Sequence, residues 1–481
     1  MQNSKLEIFS KNREAAIKDN RAVATLISTV SGKKLPDPLL VYNAVLQKSA
    51  LPACLLESAI HDGKKGRYSF LCPYGRPFVT MREKESLSPV KEMLRNNCPL
   101  THEYLPFIGG AIGPINYEVT SFIEDTVKPH SIDPFGLPVV ALYFFDCVIV
   151  FDHQENQLHY VVNVPTALSA EEGYKKGCCI IKEMKQFVSD SSTIPIPSDT
   201  ADLDSIKSTL SEDEFKEMVV KAKRHILAGD IFQVVLSRRL SVPFQGNGLS
   251  FYRALRRNNP SPYLFHMRLD ENCKNAVLIG ASPEIMVNIH HRKMTIRPLA
   301  GTKKRGATPE EDNQIEKAML CDEKETAEHR MLVDLARNDM GKFCEANSIE
   351  VTKLMQAEYF KYIMHIGSEV QGELRPEVHP LDALFGVSPA GTLSGCPKVR
   401  AQQIISEFES SQRGVYGGTF GWLTDQSLYT CIFIRSALLL EDTLHWQVGA
   451  GIVYDSDPQS EYRETEIKAM GIEKSLRDMK G

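Results

Sequence analysis

Two short stretches hold carboxylates at spacings that chemistry can use. In SEYRETEIKAM (460–470), Glu461, Glu464 and Lys468 fall at i, i+3 and i+7 of a helical repeat, on one face. In DEKETAEHRMLVDLAR (322–337), Glu325 and Glu328 stand three apart and also share a face. Either set alone fits a solvated helix side, where a Glu464–Lys468 bridge is worth only about 0.3–0.5 kcal/mol. Two such helices facing each other would make an oxygen-rich site for a hard divalent cation. Mg2+ suits it, because it takes a few carboxylates and keeps waters that a substrate oxygen can replace.

Other motifs are weaker or excluded. GTLSGCPK (391–398) is no phosphate loop, since Pro397 stands where a glycine is required and Val399 follows Lys398. QVGAGIVYD offers Gly449, Ala450 and Gly451, whose backbone N–H groups can approach an anion; a sharp bend after a strand explains the glycines as well. There is no G-x-S-x-G, and no cysteine sits in the small-residue elbow that a glutamine amidotransferase nucleophile needs. His365 alternates with Ile363 and Gly367 and, on pattern alone, reads as a core histidine.

These residues need elements to hold them. A chain of 481 residues exceeds what one core usually organises, so two lobes are expected. A net charge of −5 gives no reason for nucleic acid or an anionic membrane as partner. No apolar run reaches the roughly 18–20 residues of a membrane span. The first twenty residues lack an apolar signal core, and Glu7, Glu14 and Asp19 argue against a transit peptide. Eleven scattered cysteines without C-x-x-C read as reduced thiols, so a cytoplasmic protein is expected.

A Ser/Asp/Thr/Pro-rich stretch predicts a linker at 188–210, between an N-terminal region (1–187) and a C-terminal one (211–481). After it, Ser211 and Glu214 form a capping box, with Phe215, Val219, Ala222 and Ile226 as the apolar face. The strand IFQVVLSRR follows, with Gln233 turned away from the Phe232 side. Thr308, Pro309 and Glu311 predict a second capped helix, then one over 322–337. Strands are predicted at about 348–355, 360–371 and 428–453, before a terminal helix. Strands in runs, without regular βαβ alternation, favour an α+β fold over a doubly wound sheet.

In order along the chain, GDIFQVVLSRR, ASPEIMV, IRPLAGTKKRG, DEKETAEHRMLVDLARND, SPAGTLSGCPKVRA, RGVYGG and GAGIVYDSDPQSEYRETEIKA resemble the chorismate-utilising enzymes. Within them the likeness is to the anthranilate synthase component I group. It covers 212–471, and more loosely the N-terminal region through LLES and FIGGAIG. The resemblance implies an α/β sandwich of mixed, largely antiparallel sheets in two lobes, with the active site between them. It implies Glu328 and Glu464 as direct Mg2+ ligands, and Glu325 and Glu461 as carboxylates assisting through water. Lys468 would meet the ring carboxylate of chorismate, whereas Glu466 points roughly 160° away. The enolpyruvyl carboxylate would fall to Arg435, Tyr416 and the 449–451 backbone, with Thr392 as a further donor.

The same resemblance implies Glu284 as the general acid that releases the 4-hydroxyl, and His365 as the residue serving the later proton removal. Relatives that hydrate chorismate to isochorismate or salicylate carry a water-activating Lys where this chain has Gln233. Relatives that make the 4-amino isomer carry a nucleophilic Lys where it has Ala300. Both differences point to 2-amination. Leu56, Glu57 and Ser58, with Pro262 and Tyr263, match a tryptophan feedback site. The pattern after GGAIG departs at 114–117 (Pro-Ile-Asn-Tyr), near that site or a subunit contact. A glutamine amidotransferase subunit, component II, is implied as the ammonia source. The alternatives are another chorismate enzyme, 4-aminating or isochorismate-forming, and a non-catalytic tryptophan-sensing subunit.

Overall fold

The β-rich runs pair into two large sheets. In the computed structural model of the chain, which describes residues 2–59, 66–359 and 363–480, a 13-stranded sheet runs from Val23–Ser31 to Lys207–Ser208, and a 10-stranded one from Leu299–Lys304 to Gly75–Met81. Strand pairings among the described residues are antiparallel, as expected of an α+β fold. The two sheets pack face to face over aromatic side chains; Phe265 of the first stacks on Phe420 of the second with centroids 4.1 Å apart. Helices cover both outer faces, including Ala170–Asp190 and Pro458–Arg477 on the first and Glu323–Gly341 and Pro380–Val387 on the second.

Local signals act as their chemistry requires. Ser211 and Glu214 close a capping box on Glu212–Leu227, which buries Phe215, Val219 and Ala222 and leaves Ile226 half-buried. Thr308 caps Pro309–Cys321 by accepting from Glu311 N, but the Glu311 carboxylate takes Ala307 N at 2.6 Å instead of closing the box. The acidic helix runs Glu323–Gly341, longer than its sequence pattern indicates. Residues 188–210 carry the end of helix Ala170–Asp190 and two short strands, Thr200–Ala201 and Lys207–Ser208, which pair with Gln233–Gln245. Strands from both sides of this stretch enter both sheets.

Among the places where the chain passes from one sheet to the other, two adjoin near the chemistry. Residues 283–284 link strand Val277–Ser282 to Ile285–His290, and 433–435 link Leu428–Ile432 to Ser436–Leu440. The crossings are bonded together: Ile432 N donates to Glu284 O at 3.0 Å, and Ser282 Oγ donates to Ile432 O at 2.6 Å. Glu284 and Arg435 therefore stand where the sheets meet.

Candidate active site

Glu284 is 8% exposed, and Thr392 Oγ1, on the turn Gly391–Leu393, donates to its Oε1 at 2.9 Å. Burial pushes its pKa up to about 7; the Thr392 bond, Arg435, the Leu299 N–H and Lys468 pull part of the way back. The group is thus a carboxylic acid that holds its proton near neutrality, with burial as the largest cause.

His365 lies on strand Ile363–Glu373, and its Nδ1 meets Gly301 O at 2.9 Å. A carbonyl only accepts, so the ring proton sits on Nδ1 and Nε2 presents a lone pair. Burial lowers the pKa to about 4, and the positive charges of Arg435 and Lys468 act in the same direction. His365 is therefore a buried ring whose orientation is fixed by a backbone bond. Gly301 has two reasons to be glycine: its φ is +59°, and a Cβ there would stand 3.0 Å from Glu325 Oε2.

Arg435 (φ +49°) is largely buried, which lowers its pKa, with Glu284 opposing. Tyr416 is buried; burial raises its phenol pKa, so the hydroxyl stays a donor. Residues 449–451 lie inside strand Thr443–Ile452 rather than at a bend, with Gly449 opposite Ser237 and Gly451 opposite Val235. Backbone proximity requires glycine at 449, and at 451 a side chain would displace Gln233. A Cβ at 449 would stand 2.7 Å from Leu236 O and 3.0 Å from the Tyr416 hydroxyl; one at 451 would stand 2.9 Å from Gln233 Nε2. Lys468 Nζ donates to Gly449 O at 2.8 Å and pairs with Glu464 at 2.7 Å.

The two acidic helices flank this same strand. Gln233 Nε2 donates to Glu328 Oε1 at 2.6 Å, and a Gly451 Cβ would come within 3.7 Å of that oxygen. On the other helix, Glu464 reaches Gly449 through Lys468, and Glu461 is 8% exposed. Glu325 pairs with Lys303 at 3.4 Å. Among the described residues no three His, Cys, Asp or Glu side chains gather closely enough to grip a metal, so no ligand cage is preformed. The donor chemistry, all carboxylate oxygen beside a strand cleared by glycine, fits a hard divalent cation.

A second cavity lies between the sheets. Leu56, Glu57, Ser58, Pro262 and Tyr263 all line it, with Tyr68, Phe70, Phe420, Trp422 and Tyr429 as aromatic walls. Glu57 is held by Tyr252 OH at 2.9 Å and by Arg256 at 3.1 Å. Pro114 pairs with Phe420 on the neighbouring strand, so the departure at 114–117 begins one strand behind this wall. Sequence reasoning passes over Gly301, Lys303, Tyr252 and Arg256. The first two lie in the quoted IRPLAGTKKRG, but a carbonyl contact leaves no trace in residue type. Tyr252 and Arg256 share a helix face by their i, i+4 spacing, yet nothing local connects them to Glu57.

A family model described as chorismate binding enzyme matches residues 60–474. The chain is 39% identical over 442 residues to anthranilate synthase component 1 of Aquifex aeolicus, covering 88% of each. It is 40% identical over 455 residues to that of Acetivibrio thermocellus, covering 88% of this chain and 90% of the relative. The crystal structure of anthranilate synthase component I from Streptococcus pneumoniae matches with TM-score 0.74 and 35% identity, over 86% of this chain and 94% of that one. The menaquinone-specific isochorismate synthase of Escherichia coli, 18% identical with TM-score 0.72 over 97% and 99% of the two chains, shares the fold. The chain belongs to the chorismate-binding enzyme family.

Proposed function

We propose that this chain is the aminating component of an anthranilate synthase. It takes chorismate and ammonia to anthranilate, pyruvate and water, with ammonia released from glutamine by a partner amidotransferase subunit. The observation that carries the reading is the split between two buried groups under the same cations: Glu284 keeps a proton up to about pH 7, while His365 gives its second one up at about 4.

Ammonia attacks C2, the ring double bond shifts, and the 4-hydroxyl leaves as water on the Glu284 proton. His365, neutral with its ring proton on Nδ1, serves removal of the C2 proton as pyruvate departs and the ring becomes aromatic. The dicarboxylate is balanced by Lys468 on the ring acid and by Arg435, Tyr416 and the 449–451 backbone on the enolpyruvyl acid. Mg2+ would be held by Glu328 and Glu464, with Glu325 and Glu461 assisting through water. It supplies charge neutralisation at the ring carboxylate.

Gln233 supports amination over hydration. Its NH2 end is committed to Glu328, and its amide oxygen is buried with no hydrogen-bond partner among the described residues. An amide is no base for water, but its oxygen can accept an N–H of ammonia. Ala300 offers no nucleophile for the 4-amino route. The relatives' designation as component 1 supports a partner component. Tryptophan, as feedback inhibitor, is assigned to the aromatic cavity beside Glu57 and Ser58. Incubation with chorismate, Mg2+ and ammonium tests the reading: anthranilate, identified by mass and fluorescence, supports it. Isochorismate or a 4-amino product would replace it, and absence of turnover would favour a silent sensing subunit.

A further inference from the structure

Beneath the carboxylate seat lies an arginine sealed from solvent and substrate. The Arg413 side chain is 1% exposed. Its Nε and Nη2 donate to the two oxygens of Glu409 at 2.8 and 2.6 Å. Nη1 donates to Leu393 O at 2.6 Å, and Nη2 also to Val235 O at 2.7 Å. The guanidinium lies 5.7 Å from the centroid of the Tyr416 ring. Glu409 Oε1 in turn accepts from Ser237 N at 2.9 Å and Ser237 Oγ at 2.6 Å. Glu118 Oε1 takes Arg413 N and Gly414 N at 2.8 and 3.3 Å, which bolts down the loop leading to Tyr416.

Several of these contacts lead to groups assigned to the substrate; the nearer aromatic neighbour, the Tyr117 ring at 4.5 Å, is not one of them. Leu393 follows Thr392, the donor to Glu284. Val235 and Ser237 are the strand partners of Gly451 and Gly449. Tyr416 stands over the cation, its hydroxyl close to Gly449. A flat fork with fixed bond directions holds these walls at one spacing, which a lysine, as a point charge on a flexible stem, cannot do. Stability alone is a weak reason for the pair, because a buried ion pair often does no better than apolar packing of equal volume.

We infer that Arg413 is a positioning residue, which sets Tyr416 and the 449–451 backbone at the separation that receives the enolpyruvyl carboxylate. A ligand with only the ring carboxylate, held by Lys468, does not depend on it. The inference rests on the chorismate site proposed above. Anthranilate is the discriminating probe, since it keeps the ring acid and lacks the enolpyruvyl arm.

In Arg413→Lys, the KM for chorismate should rise by about tenfold or more, as expected for lost charge-assisted bonds, while the inhibition constant of anthranilate stays within about twofold. Glu409→Gln, which keeps an acceptor for Ser237 but loosens the fork, should show the same split at about threefold. It decides the question where Arg413→Lys does not fold. An unchanged KM in a folded variant, or an equal rise in both constants, overturns the inference. Should the wild-type chain bind chorismate without forming anthranilate, the proposed reaction fails separately, and the same split is read by calorimetry with the two ligands.

Discussion

Glu284 and His365 behave differently because their buried forms differ in charge. Burial disfavours the carboxylate and so holds a proton on Glu284 up to about 7; it disfavours the imidazolium and so strips His365 down to about 4. An acid required protonated loses activity as pH rises through its pKa, so kcat should fall above about pH 7, while His365 stays neutral throughout that range. Thr392 stabilises the charged form of Glu284, so Thr392→Val should raise its pKa and move the falling limb to higher pH. A pH–kcat profile checks both statements; a limb that stays in place removes Thr392 from the assignment. His365→Ala should accumulate the aminated intermediate, visible by mass, and simultaneous loss of both steps would contradict its role. Neither pKa was legible in the residue pattern. ASPEIMV points to Glu284 through resemblance, but the burial that tunes it comes from the junction of two sheets whose strands lie far apart in sequence.

The acidic helices show how much spacing alone can deliver. That Glu325 and Glu328 share one face, and Glu461, Glu464 and Lys468 another, follows from helical geometry and could be read directly. That both faces border strand Thr443–Ile452 could not, because strand order is set by pairing between distant segments. The glycines of that strand were ambiguous in sequence; register shows that each clears space for a neighbouring polar group. Glu328→Ala or Glu464→Ala should abolish Mg2+-dependent turnover and weaken Mg2+ binding by calorimetry, with circular dichroism unchanged. Mg2+-dependent turnover retained in either would count against that ligand. The opposite lesson comes from Glu409 and Arg413: their i, i+4 spacing suggests an ordinary surface bridge, and only the fold shows it sealed.

Across the whole molecule, the reacting groups and the aromatic cavity are both tied to the pair of sheets, since the cavity lies between them and Glu284 stands on a segment that joins them. Leu56 and Glu57 belong to the first sheet and Phe420 and Trp422 to the second, as Glu284 and Arg435 sit at the crossings between them. A ligand that favours one spacing of the sheets therefore biases the other site by its difference in affinity for the two spacings. Ser58→Phe should fill the cavity and relieve inhibition by tryptophan, measured as the inhibitor concentration that halves turnover; unchanged inhibition would remove Ser58 from the site. The α+β class and the helices that start near 212, 309, 323 and 458 were readable from caps and residue spacing. The interleaving of strands from both sides of 188–210 was not, because composition there marks low periodicity and says nothing of which strands pair.

The most direct measurement places the wild-type chain and Glu284→Gln side by side with chorismate, Mg2+ and ammonium, and follows product by mass. The wild-type chain should yield anthranilate and pyruvate, and the variant should be slower by about 10²–10⁴-fold, the usual contribution of a positioned acid. An isomer of chorismate as the product, or a variant as fast as the wild type, would contradict the account.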